Sequence, residues 1–168
     1  MQLVNKISYP AMMEKVHILF CNTFGEDIIL IKRMEAFEHM GHFELKYSYL
    51  PLEYELSFEN ECDTFNIEIY DNERAKNSLY RIIEFNNELE IKNIECAIQL
   101  LKSILKRGGF CFYLIREGKI YVKENQQYRR VRDITELMKD IEDKKEKVIS
   151  NKASDRLKRY NDIRSDYL

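Results

Sequence analysis

Asp27, Glu44 and Lys46 are the residue types of a metal-dependent nuclease, in which carboxylates hold Mg²⁺ and a lysine orients the attacking water or stabilises developing charge. Glu44-Leu45-Lys46 lies in "HFELKYSYL", whose alternation puts Glu44 and Lys46 on one strand face, and Asp27 opens the preceding apolar run. The triplet is not selective. Glu-x-Lys recurs at Glu90, Glu117 and Glu142, as expected of a chain this rich in both residues, so a solvent-facing strand charge pair is the simpler reading.

A second group, Glu35, Glu38, His39 and His42 in "EAFEHMGHFE", has zinc-ligating side chains. Gly41 between the histidines argues for a turn rather than a pre-formed ligand face. His17, flanked by Val16 and Ile18, reads as a packed helix residue. There is no glycine-rich phosphate loop, no Gly-x-Ser-x-Gly elbow and no cysteine nucleophile signature. The chain is therefore expected not to be an enzyme and to hold no metal or cofactor.

Charge distribution is more informative than any motif. From Glu26 to Glu90 there are sixteen Asp/Glu against six Lys/Arg, a net −10 in a chain of −2, which leaves +8 for the rest. Between Tyr47 and Glu73 stand eight carboxylates and no Lys or Arg. With Tyr54, Leu56 and Phe58 turned inward, alternation sends Glu53, Glu55 and Glu59 outward, beside Asn66, Glu68 and Tyr70 of the next strand. Such a face suits a basic partner, because complementary potentials speed encounter and carboxylates pair with Arg or Lys. The candidate contact residues are Glu53, Glu55, Glu59, Glu61, Asp63, Glu68 and Asp71, with Tyr70 as an aromatic anchor.

The opposite pole, residues 113–132, carries Arg116, Lys119, Lys123, Arg129, Arg130 and Arg132 among Tyr113, Tyr121 and Tyr128, a pattern that can contact phosphates and stack bases. Glu117 and Glu124 interrupt it, and a pI near 6.0 weakens any pull on phosphate. Nucleic-acid binding through this basic hairpin stays an alternative to protein binding.

The elements that position these residues follow from periodicity. Pro10 and the Met12, Met13, Val16, Leu19, Phe20 spacing predict a first helix closed by Gly25. Four strands, an apolar run in "EDIILIKR" followed by the alternating "HFELKYSYL", "EYELSFE" and "TFNIEIY", predict an antiparallel meander. Residues 73–85 read as a short helix through Ala75, Leu79, Ile82 and Ile83. Ile91, Ile94, Ile98, Leu101 and Leu105 give a sheet-packing helix stopped at Gly108. A hairpin turns at Glu117-Gly118, and Asp133 with Glu136 forms a capping box for a last helix.

The expectation is an α+β fold: an antiparallel sheet with helices packed on one face and a long charged C-terminal helix, divided as a core domain over 1–132 and a partly protruding helix over 133–168. No apolar run is long enough to span a membrane, and the start lacks a secretory pattern, so the cytoplasm is the expected location. The four scattered cysteines are expected to be free thiols. By class analogy in size and acidity, the expected function is a protein-binding inhibitor of the immunity or antitoxin kind, neutralising a basic enzyme such as a nuclease toxin. Monomer or homodimer stays undecided from the sequence.

Overall fold

A computed structural model of the chain describes residues 7–147. Helix α1 (Tyr9–Phe24) starts where the Ser8 hydroxyl accepts from Ala11 N–H, carries Pro10 in its first turn, and ends at Gly25 with φ 55°, a conformation glycine adopts without cost. A single 3₁₀ turn then leads into the strands β1 (Ile28–Ala36), β2 (His42–Tyr49), β3 (Tyr54–Glu61) and β4 (Thr64–Tyr70). All four pair antiparallel with their sequence neighbours. The inward rows are those the alternation predicts: Phe43, Leu45, Tyr47 and Tyr49; Leu56 and Phe58; Phe65, Ile67 and Ile69, all buried.

Helix α3 (Ile91–Arg107) lies against α1, and both cover this face; Ile94, Ile98, Leu101 and Leu105 are buried beneath it. Aromatic rings tie the layers together. Phe20 stacks on Tyr47 with centroids 4.5 Å apart, and Phe43, Phe58 and Phe65 stack in series across three strands. Each such ring, fully buried, contributes about 1.5–3 kcal/mol of transfer free energy. His17 is packed as expected: its Nδ1 meets the Tyr47 hydroxyl at 2.9 Å, and burial pushes that phenol well above its ordinary range.

Past β4 the chain departs from the expected helix over 73–85. It forms β5 (Lys76–Ser78) and a four-residue helix, α2 (Leu79–Ile82). Polar bonds, one set local and one long-range, decide this. The Asp71 carboxylate accepts from the N–H groups of Glu73 and Ala75, folding the chain back on β4, and Asn77 Nδ2 donates to the Cys111 carbonyl. The spacing of Ala75, Leu79, Ile82 and Ile83 had mimicked a helix.

Strands β6 (Phe112–Arg116), β7 (Lys119–Glu124) and β8 (Gln127–Val131) extend the meander, giving one eight-stranded antiparallel sheet in sequential order. The join is narrow: β5 meets β6 through one residue pair, Lys76 with Tyr113. In β6–β8 the rows divide. Phe112 joins the main core, while Cys111, Tyr113, Val122 and Val131 form a second cluster with Ile141 of helix α4 (Ile134–Lys144). The Asp133 side chain caps α4 by accepting from Glu136 N–H, as the sequence predicts.

The long C-terminal helix is corrected. α4 has eleven residues and stops at Lys144, because Glu146 is drawn into extended pairing: its N–H donates to Ile82 C=O, its C=O accepts from Glu84 N–H, and its carboxylate meets the Arg107 guanidinium. The rest of the expected helix, 148–168, lies outside the described residues. The described helices include none long and apolar enough to cross a membrane.

Candidate docking face

Among the described residues no helix covers the second face of β2–β5. Register sets its rows: Glu44 opposite Glu59 and Glu59 opposite Asn66; Ser48 opposite Glu55, Glu55 opposite Tyr70 and Tyr70 opposite Lys76; Ser57 opposite Glu68 and Glu68 opposite Ser78. Of the acidic residues expected to share a surface, Glu55, Glu59 and Glu68 do, together with Tyr70. Glu44 and Lys46 belong to the same face, as alternation in β2 indicated. Glu61 closes β3 and Asp63 sits in the following turn, at the Glu59 end. Glu53 lies in the β2–β3 turn with φ 56°, beyond the Glu55 end of the face and some 20 Å from Glu59 at roughly 3.3 Å per residue. Asp71 is buried and engaged elsewhere.

Part of this acidity is neutralised from within. Lys46 Nζ lies 3.3 Å from Glu44 and 3.5 Å from Glu55, and Arg74 reaches Glu55 at 3.1 Å. Burial opposes the Lys46 charge, yet the Glu44 and Glu55 carboxylates outweigh it and hold the ammonium above its usual range. Glu68 accepts from the Tyr70 hydroxyl at 2.6 Å and faces Lys76 at 3.7 Å, while the Arg74 guanidinium sits 4.5 Å over the Tyr70 ring. Tyr70 is therefore held in a local network rather than presented alone.

Glu59 differs. Among the described residues no Lys or Arg pairs with Glu59 or Glu61, and Glu59 lines a groove of about 600 Å³ with His42, Glu61, Asn66, Tyr80 and Arg81. Burial, then the neighbouring Glu68 and Glu44 carboxylates, raise its pKa. A carboxyl whose pKa is higher folded than unfolded binds more protons in the native state, so its ionisation removes stability as pH rises above 4.5. Glu59→Gln is accordingly expected to raise the urea midpoint at pH 7 by a few tenths of a kcal/mol in stability and to change nothing below about pH 4. Urea titrations at the two pH values check this.

The other candidate constellations disperse. The Asp27 carbonyl accepts from Leu50 N–H at one end of β2, whereas Glu44 pairs with Met34 near the other, a separation of about 20 Å along the strand, so Asp27, Glu44 and Lys46 do not form one site. His42 Nδ1 bonds the Asn60 carbonyl, and Glu35 accepts from Arg33. Among the described residues no three His, Cys, Asp or Glu gather as a metal-binding group. In the basic segment, Arg129 pairs with Asp140 and Arg132 with Glu136, and the buried Tyr113 donates its hydroxyl to Asp140. Lys123, counted with the basic surface, is buried: it bonds Asp71 at 2.7 Å and Glu73 at 2.9 Å.

That pair lies in a cleft of about 730 Å³ beside the narrow β5–β6 join, which Arg107, Lys144, Glu124 and Glu146 also line. Here the two charge poles meet through Lys123 with Asp71 and Glu73, beside two pairs internal to the basic part, Lys144 with Glu124 and Arg107 with Glu146. The opposite charges of the two parts leave internal pairing open in the sequence, but no local pattern names Asp71 and Glu73 as the partners of Lys123. No protein-family model, no curated protein and no solved structure matches this chain.

Proposed function

We propose that this chain is a protein-binding inhibitor of the immunity or antitoxin kind, acting in the cytoplasm and neutralising a basic enzyme, such as a nuclease toxin, through the Glu59 end of its open sheet face. The observation that carries the reading is Glu59 itself: a half-buried carboxylate with three carboxylates acting on it and no cation of its own among the described residues. A partner's Arg or Lys entering the groove supplies the missing charge, and Glu61 beside it widens the negative field. The strands hold both groups rigidly, so little side-chain entropy is lost on contact. Met40, 72% exposed at the groove's edge, offers an adaptable apolar contact. The four free cysteines fit a reducing compartment.

The experiment starts from tagged full-length protein used to capture a stoichiometric basic protein from its native extract, followed by association kinetics at two salt concentrations. Glu59→Lys with Glu61→Lys is expected to slow association about tenfold at low salt, with a smaller effect at high salt and a melting temperature no lower than the parent's. Unchanged association at low salt would remove this surface as the interface.

A further inference from the structure

We propose that the free edge of the sheet, β1, pairs antiparallel with β1 of a second copy of the chain to form a homodimer. Among the described residues β1 pairs only with β2, and no other described strand lies beside its outer N–H and C=O groups. Edge strands are usually blunted by charge, proline or brevity. Here the opposite holds at the centre. Ile29 is 53% exposed, Leu30 37% and Ile31 52%, three consecutive branched aliphatics on a nine-residue edge strand. Ile18, also exposed, lies on the helix stripe of α1 that carries Glu14, whose carboxylate meets Arg33 of β1, so the apolar strip extends onto the helix layer.

The sequence of this edge says what covers it. Glu26-Asp27-Ile28-Ile29-Leu30-Ile31-Lys32-Arg33 runs acid, acid, four aliphatics, base, base, so a second copy running antiparallel sets apolar against apolar and each acidic end against a basic end. A two-fold axis normal to the sheet and passing near Ile29 sets Ile28 opposite Leu30 of the second copy; Glu26, in the 3₁₀ turn before β1, and Lys32, beyond the bulge, then lie at facing ends of this short pairing. Inside one chain Lys32 is lightly used, 50% exposed with its Glu44 contact at 3.7 Å, whereas Arg33 is already held by Glu14 and Glu35. The bulge between Leu30 and Lys32 lies outside the central pairing and leaves Ile31 projecting. The same axis places both open polar faces on one side of a sixteen-stranded sheet, although the proposal stands without the partner reading.

The test is sedimentation equilibrium of the full chain over roughly a hundredfold range of concentration, since dimerisation follows mass action. The mass is expected to rise from one chain toward two. Ile29→Lys sets two ammonium groups together at the axis and should raise the dissociation constant at least about tenfold. Glu26→Lys and Lys32→Glu should each weaken the dimer, and the two together should restore it to within about twofold of the original. Melting at dilute concentration, where each variant should match the parent, separates interface from folding effects. A single-chain mass at every concentration overturns the proposal, whether the edge is then bare or covered by residues outside 7–147. So does a combined charge exchange that binds no better than either single change.

Discussion

Lys123→Met should destabilise the protein by about 3–5 kcal/mol, the cost typical of leaving one member of a buried ion pair behind. Lys123 and Asp71 are both buried, with side-chain exposures of 7% and 4%, and their 2.7 Å bond spans β7 and the β4–β5 turn. Asp71 is also the residue whose carboxylate accepts from Glu73 and Ala75 N–H. Removing the ammonium leaves a desolvated carboxylate with two backbone donors and no cation. Glu73, half exposed, can turn to water and loses little. The loss is a large fraction of an ordinary domain's 5–15 kcal/mol. The double change Asp71→Asn with Lys123→Met keeps the turn's acceptor and deletes both charges, so it should be more stable than Lys123→Met alone, a coupling that a urea double-mutant cycle measures.

The pH dependence has a definite sign. Burial opposes the Lys123 ammonium, but bonds from Asp71 and Glu73 more than compensate, so its pKa in the fold lies above the unfolded 10.5. The stabilisation is then complete below pH 10.5 and disappears as pH rises through the folded value. The parent should show this alkaline loss, and Lys123→Met should lack it.

The meander was legible because its alternation is strict: Phe43, Leu45, Tyr47 and Tyr49 could occupy only one face, and Glu44 and Lys46 the other. What escaped depended on contacts between distant residues. Nothing near Lys123 in sequence reveals that Asp71, 52 residues earlier, will bury it. Nor does local spacing reveal that Asn77 will donate across 34 residues to Cys111 and pull residues 76–78 into the sheet. The acidic face was half legible. Alternation placed Glu55, Glu59 and Glu68 together, but the run without cations ends at Glu73, and Arg74 and Lys76 fold directly back onto Glu55 and Glu68. Linear charge counts over-state a field that a tight turn neutralises. Glu59 remained because Lys32 and Lys46 stop at Glu44, and Lys76 at Glu68.

Asn60→Leu should cost about 2–4 kcal/mol, because it strands two backbone groups where water cannot reach them. Asn60 is fully buried at the end of β3. Its Oδ1 accepts from Phe43 N–H at 2.8 Å, and its Nδ2 donates to the Gly41 carbonyl at 3.0 Å. Together these bonds fix the chain's entry into β2. Gly41 has φ +77° and the Tyr9 ring lies 2.2 Å from where a Cβ would stand, so the turn cannot shift without displacing α1's first residue. Leucine keeps the branched four-atom shape of asparagine with larger terminal groups, so it leaves no cavity, and crowding adds to the loss. Asn60→Asp makes the distinction sharper: it keeps the acceptor for Phe43 and, when ionised, cannot donate to Gly41 while adding charge beside Glu59 and Glu61. Both effects raise the carboxyl's folded pKa, so the protonated form, which can donate, is favoured in the fold. The Asp variant should therefore be about as unstable as the Leu variant at pH 7 and recover stability as pH falls toward about 4, whereas the Leu variant should show no recovery beyond the parent's own pH dependence. Urea titrations of the two variants across that range read the donor to Gly41 separately from the packing around it.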